Sequence, residues 1–82
     1  MVFEVHRFEF ATTVPDNTKG FPHVLSMVKG DGVTVRPQEF PERQFHLNFS
    51  ETVLLPAAMG KYTIINESDK PCKVLKTVVC KQ

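Results

Sequence analysis

The sequence predicts an all-β chain folded as a sandwich or barrel, with little or no helix. Three observations lead there. Apolar residues recur with a period of two through most of the chain, and no window holds them at the three- and four-residue spacing of an amphipathic helix. Glycine, proline, asparagine and aspartate punctuate the sequence at intervals of roughly 8–12 residues, the spacing of short strands in such folds. No repeat, linker or low-complexity stretch interrupts the 82 residues, so one domain over residues 1–82 is expected.

The first run, Phe3 to Phe10, puts Phe3 and Val5 at odd positions but Phe8 and Phe10 at even ones. Such a change of face predicts a bulge or bend near His6-Arg7. Pro15-Asp16-Asn17 and Gly20 read as breakers. In the next run His23 shares a face with Leu25 and Met27, opposite Val24 and Val28. Asp31-Gly32, after Lys29-Gly30, predicts a hairpin. Val33 and Val35 then alternate with Thr34 and Arg36. Pro37 and Pro41 bracket a loop that has no place in a central strand.

Phe45, Leu47 and Phe49 alternate with Gln44, His46, Asn48 and Ser50, the cleanest half-buried pattern in the chain. After Pro56 and Gly60, Tyr62 and Ile64 share one face, with Lys61, Thr63 and Ile65 on the other. Past the breakers Glu67 to Pro71, the last run places Val74, Val78 and Cys80 on one face and Leu75 and Val79 on the other. A strand apolar on both faces expects cover on both. A barrel supplies only the inner side, so the outer side is expected to pack against another domain or a neighbouring subunit.

Composition narrows the function classes. A formal charge of +1, with 41% hydrophobic and 23% charged residues, is that of a globular domain without a footprint for nucleic acid or an anionic membrane. No apolar stretch is long enough to span a bilayer as a helix. Cys72 and Cys80 lie eight residues apart, about 26 Å along one continuous strand, beyond the roughly 7 Å that a disulfide allows. Reduced thiols, with no export-signal pattern at the N-terminus, favour the cytoplasm. Seven phenylalanines without flanking basic residues are read as core rather than as a base-stacking platform. No nucleophile elbow, P-loop or dinucleotide fingerprint is present.

Ser50 to Asn66 is the most specific stretch, a strand, a Pro-Ala-Ala-Met-Gly corner and a second strand. It resembles the second motif of cupin barrels, and in particular the C-terminal domain of type I mannose-6-phosphate isomerases. Phe3 to Phe10, His23 to Gly32 and Val74 to Val79 are similar to other strands of that domain. The resemblance implies a small jelly-roll-like β-barrel belonging to a zinc enzyme that interconverts mannose 6-phosphate and fructose 6-phosphate. The zinc and catalytic residues of that family lie in a preceding cupin domain, which becomes the expected partner. On that reading the present chain is non-catalytic and serves stability and domain packing. The alternative is a free-standing, metal-free small cupin that binds a sugar or sugar phosphate.

Cupin metal ligands come from a His-x-His pair, a following Glu and a His five residues after the proline of the second motif. By resemblance these positions fall near Asn17, Lys19 and His23, and at Lys61. His23 alone is able to coordinate; an ammonium has no lone pair. No metal or other cofactor is therefore expected in this chain. His23 and Lys61 are the candidate pocket residues, the first because it shares a face with Leu25 and Met27, the second as a phosphate-binding cation at a barrel mouth. The ordinary reading of Lys61 is a solvated residue at a strand start, and that of His6 and His46 is surface histidines. Cys80 lies beside a basic residue but has no histidine near it in sequence, and both thiols are read as small buried hydrophobes.

Overall fold

The computed structural model describes residues 2–80. Its strands are β1 (Val2–Phe10), β2 (Thr13–Asn17), β3 (His23–Lys29), β4 (Gly32–Pro37), β5 (Phe45–Asn48), β6 (Thr52–Leu55), β7 (Lys61–Asn66) and β8 (Cys72–Cys80). Short 3-10 turns at Pro41–Arg43 and Ala57–Met59 are the only helical pieces among the described residues. No described helix is long and apolar enough to cross a membrane.

Two four-stranded sheets form, in the orders β1-β8-β3-β6 and β2-β7-β4-β5, with every pairing antiparallel. Successive strands often change sheet, so the chain winds as a jelly roll, and the interior is closed by alternate residues of both sheets. Leu25, Met27, Leu55, Cys72 and Val74 from the first sheet meet Val33, Val35, Leu47, Tyr62 and Ile64 from the second. The period of two is thus read correctly for β3, β4 and β7, where His23, Leu25 and Met27, then Val33 and Val35, then Tyr62 and Ile64, all face inward.

Several expectations are corrected. The change of face in β1 is not a bulge: its register against β8 runs unbroken from Val2 opposite Cys80 to Phe10 opposite Cys72. Phe8 and Phe10 pack on the core, whereas Phe3 and Val5 face outward; the register shift instead lies in β3, between Met27 and Lys29. Asp31-Gly32 is not a hairpin turn, because β3 and β4 belong to different sheets. Pro15-Asp16-Asn17 is strand rather than breaker, since β2 is an edge strand, where a missing N–H is tolerated. Pro37 is the last residue of β4, and β5 stops at Asn48, which leaves Phe49 exposed. The phenylalanines are core only in part: Phe8, Phe10 and Phe45 pack against it, Phe3, Phe21, Phe40 and Phe49 are exposed, and aliphatic side chains with Tyr62 fill the interior.

The Pro56 to Gly60 corner carries the chain from β6 in one sheet to β7 in the other. Buried Thr18, just past β2, latches it. Its hydroxyl donates to the Ala57 carbonyl (2.8 Å) and accepts from the Gly60 amide (3.0 Å), while its own amide donates to the Gly60 carbonyl (3.1 Å). Cys72 and Cys80 are free thiols at opposite ends of β8.

Candidate functional site

At one end of the space between the sheets, polar side chains from four strands converge. Lys76 comes from β8, Asp16 from β2, Tyr62 from β7 and His23 from β3. Each is turned inward by the alternation of its strand: Lys76 sits between Val74 and Val78, and Tyr62 two residues before Ile64. The Lys76 ammonium donates to Asp16 Oδ2 (2.5 Å), and the Tyr62 hydroxyl donates to the same oxygen (3.1 Å). His23 Nδ1 lies 2.8 Å from the Tyr62 oxygen. A hydroxyl has one proton, and that of Tyr62 goes to Asp16, so His23 Nδ1–H is the donor in this last contact. Lys76 is only 7% exposed, and its ammonium also lies 5.1 Å from the centre of the Phe8 ring.

The electrostatics follow from this arrangement. Burial works to raise the Asp16 carboxyl, but the hydrogen bond from Lys76, the Asn17 amide and the Tyr62 hydroxyl outweigh it and hold the group below the usual carboxylate range. Burial and the Lys76 charge push the His23 imidazole down, against the weaker pull of Asp16. Burial and the Asp16 carboxylate drive the Tyr62 phenol far up, so it stays a hydroxyl. The site is an ion pair with two neutral hydrogen-bonding rings attached.

A pH dependence follows. The unfolded chain takes up a proton on His23 near pH 6.5, whereas the folded chain resists it, so the unfolded state binds more protons below that value. The stability associated with His23 is fully present above about pH 6.5 and is lost as the pH falls. Urea midpoints measured between pH 8 and pH 5 should decline in the parent chain and decline less in His23→Gln; equal slopes would remove His23 as the cause.

Of the two pocket residues expected from sequence, His23 lies in this network and Lys61 does not. Lys61 is exposed at the start of β7, in a neighbouring groove with Gln38 and Thr63 that also touches Asp16, Asn17 and Tyr62. The cavity beside His23, of about 310 Å³, is instead lined by Lys76, Asp16, Asn17, Lys19, Phe21, His6 and Glu4, among others. The offset has a simple cause. In a strand, a slip of one residue exchanges the two faces. The positions expected to be ligands, Asn17, Lys19 and Lys61, each neighbour the inward residue, which is Asp16 or Thr18 for the first two and Tyr62 for the third. Zinc does not fit here: Asp16 and His23 are the only strong donors in the network, and an ammonium already sits on the carboxylate. Among the described residues no three His, Cys, Asp or Glu side chains converge to hold a metal ion.

His6 and His46 are exposed, as expected. His46 is not idle: its Nδ1 lies 2.5 Å from Glu67 Oε1, which also accepts from the Thr34 hydroxyl. The Cys72 thiol is buried and pushed up by that burial, and Cys80 is pushed up by burial and by Glu4, so neither is a ready thiolate.

No family model matches the sequence, and no curated protein matches it. Solved structures do. A protein of Bacillus halodurans aligns with a TM-score of 0.78 at 14% identity, over 98% of this chain and 64% of that one. A cupin superfamily protein of Desulfitobacterium hafniense gives 0.73 at 15% identity, over 96% and 68%. A cupin-2 domain protein of Shewanella frigidimarina gives 0.70 at 10%, over 92% and 68%. The chain spans about two thirds of the length of these structures. At such identities the likeness concerns architecture, and with the two antiparallel sheets described above it makes this chain a cupin-like domain by fold.

Proposed function

We propose that this chain is a non-catalytic, metal-independent cupin-like domain that serves stability and domain packing in a cytoplasmic sugar-phosphate isomerase of the mannose-6-phosphate type. One observation carries the metal-independent part of the reading: the polar end of the interior is complete without a ligand. Lys76 neutralises Asp16, Tyr62 and His23 satisfy one another, and no buried side-chain nitrogen or oxygen among the described residues lacks a partner. The isomerase part rests on the resemblance of Ser50 to Asn66.

The outward face of the β1-β8-β3-β6 sheet supports the packing role. Phe3, Val5 and Leu54 stand there 59%, 66% and 62% exposed, beside half-buried Val24, Leu75 and Val79. The partner proposed for it is the preceding cupin domain of the same enzyme. Phe3→Glu with Leu54→Glu should leave stability within about 0.5 kcal/mol per site, as exposed substitutions do. It should weaken association when the upstream domain is supplied separately; unchanged association would remove this face from the interface. The purified chain should not interconvert mannose 6-phosphate and fructose 6-phosphate, measured by a coupled assay. Turnover that disappears in His23→Gln would overturn the non-catalytic reading.

A second reading is favoured by the cavity itself, whose volume of about 310 Å³ is at the lower end of small-ligand pockets. It mixes donors and acceptors with the Phe21 ring, and its two carboxylates, Glu4 and Asp16, balance its two ammonium groups, Lys19 and Lys76. That balance suits a sugar at least as well as a sugar phosphate. Ligand-observed NMR with mannose and mannose 6-phosphate tests it; a signal from either that is lost in His23→Gln would favour this reading over the first.

A further inference from the structure

We propose that a second copy of this chain pairs with it along the free edge of β1, antiparallel, with Val5 of one copy opposite Val5 of the other. β1 is hydrogen-bonded to β8 on one side, and among the described residues no backbone hydrogen bond is made on its other side. A free edge is a template for another strand unless the chain blunts it. The other three sheet edges are blunted. β2 carries Pro15, β5 and β6 have four residues each, and β6 runs into Pro56. β1 has nine residues, without proline, glycine or lysine, and its register holds throughout. Its outward Phe3 and Val5 are exposed.

The charges of β1 decide how the copy lies. In a two-fold antiparallel pair outward residues oppose outward ones, so the axis passes through a residue of the strand. With the axis at Val5, Glu4 faces the partner's His6 and Phe3 faces the partner's Arg7, each twice by symmetry. An axis at Glu4 would oppose two carboxylates, and one at Arg7 two guanidinium groups. An axis at His6 sets Phe3 against Glu9 and Val5 against Arg7, with no opposite charges facing. An axis at Phe8 brings Arg7 against Glu9, but Glu9 already faces Lys73 at 3.7 Å. It would also run the partner's strand against residues 11 and 12, where the chain leaves for the other sheet. Glu4 and His6 line the cavity beside His23, so pairing at Val5 brings the partner's His6 to the rim of that cavity. The inference concerns the edge of the sheet and not its outward face, and it holds whether or not the chain belongs to an isomerase.

Sedimentation equilibrium of the full chain and of its variants is the test, together with cross-linking by oxidised glutathione. The parent chain should show a reversible monomer–dimer equilibrium. His6→Glu should weaken it about tenfold, because like charges then oppose each other at two symmetric places. Glu4→Lys combined with His6→Glu should restore it. Leu54→Glu, on the far edge strand of the same sheet, should leave it unchanged. Val5→Cys should oxidise to a covalent dimer, since opposed residues have Cα atoms about 4.5–5.5 Å apart, within the span of a disulfide. Arg7→Cys, which this register sets opposite Phe3, should not cross-link beyond the parent. A parent chain that stays monomeric at its highest attainable concentration overturns the proposal. So does a dimer that His6→Glu leaves intact, that the double variant fails to restore, or that Leu54→Glu abolishes. Equal cross-linking of Arg7→Cys and Val5→Cys overturns the register and the proposal with it.

Discussion

Lys76→Met is expected to destabilise the fold by about 3–5 kcal/mol, because it removes one partner of a buried ion pair and leaves the other uncompensated. Asp16 keeps the Asn17 amide and the Tyr62 hydroxyl, and its side chain retains 19% exposure, so the loss should fall toward the lower end of that range. Even so, a chain of 82 residues has a total stability of only about 4–12 kcal/mol, and the variant would stand close to unfolding. The informative comparison is the double variant. Asp16→Asn with Lys76→Met removes both charges while leaving an amide able to accept from Tyr62, and it should recover most of the loss. Urea unfolding of the four chains reads the coupling directly. Losses that simply add would mean that Lys76 stabilises through its packed aliphatic stem and not through its charge.

Gly30→Ala is expected to cost about 2–6 kcal/mol, from two contributions of about 1–3 kcal/mol each, one of backbone strain and one of overpacking. Gly30 has φ +117°, a conformation that side-chain-bearing residues rarely adopt. A Cβ there would lie 2.7 Å from Cys72 Cβ and 2.9 Å from Met27 Cε. Met27 is able to shift its methyl, but Cys72 Cβ is fixed to a central strand, so the β3–β4 crossing or β8 must move. Gly20→Ala is the control. Gly20 also has positive φ, at +83°, but no atom lies within 4 Å of its Cβ position, so the strain acts alone. Thermal or urea unfolding should rank Gly30→Ala clearly below Gly20→Ala. Equal losses would show that the crossing gives way without cost.

Much of the architecture was legible because alternation survives wherever a strand has a wet face and a dry one. His23-Leu25-Met27, Val33-Val35 and Tyr62-Ile64 each declared their inward face, and each is buried. Sheet membership was not legible. The Gly30-Asp31-Gly32 turn has hairpin chemistry, yet it bridges sheets, and nothing local distinguishes the two uses. In β1 the aromatic residues misled, since Phe3 and Val5 obey the register but face outward. β2 was hidden by Pro15, which its place at the sheet edge admits.

The polar site was half legible. His23 was found from its face. Lys76 carried the same signal, a lysine in phase with Val74 and Val78, and Tyr62 shared the phase of Ile64. Asp16 had none, because its partner lies on another sheet and its own strand looked like a turn. Lys61 drew attention through the motif position, but the alternation of β7 sends Tyr62 inward in its place.

The most direct measurement is zinc titration of the unmodified chain, observed through the ring nitrogens of His23 by NMR, with metal content determined after dialysis. A closed site predicts that the His23 ring-nitrogen signals stay unmoved throughout and that almost no zinc is retained. About one zinc per chain, with the His23 signals displaced, would show that the donors bind a metal despite Lys76 and would contradict the account.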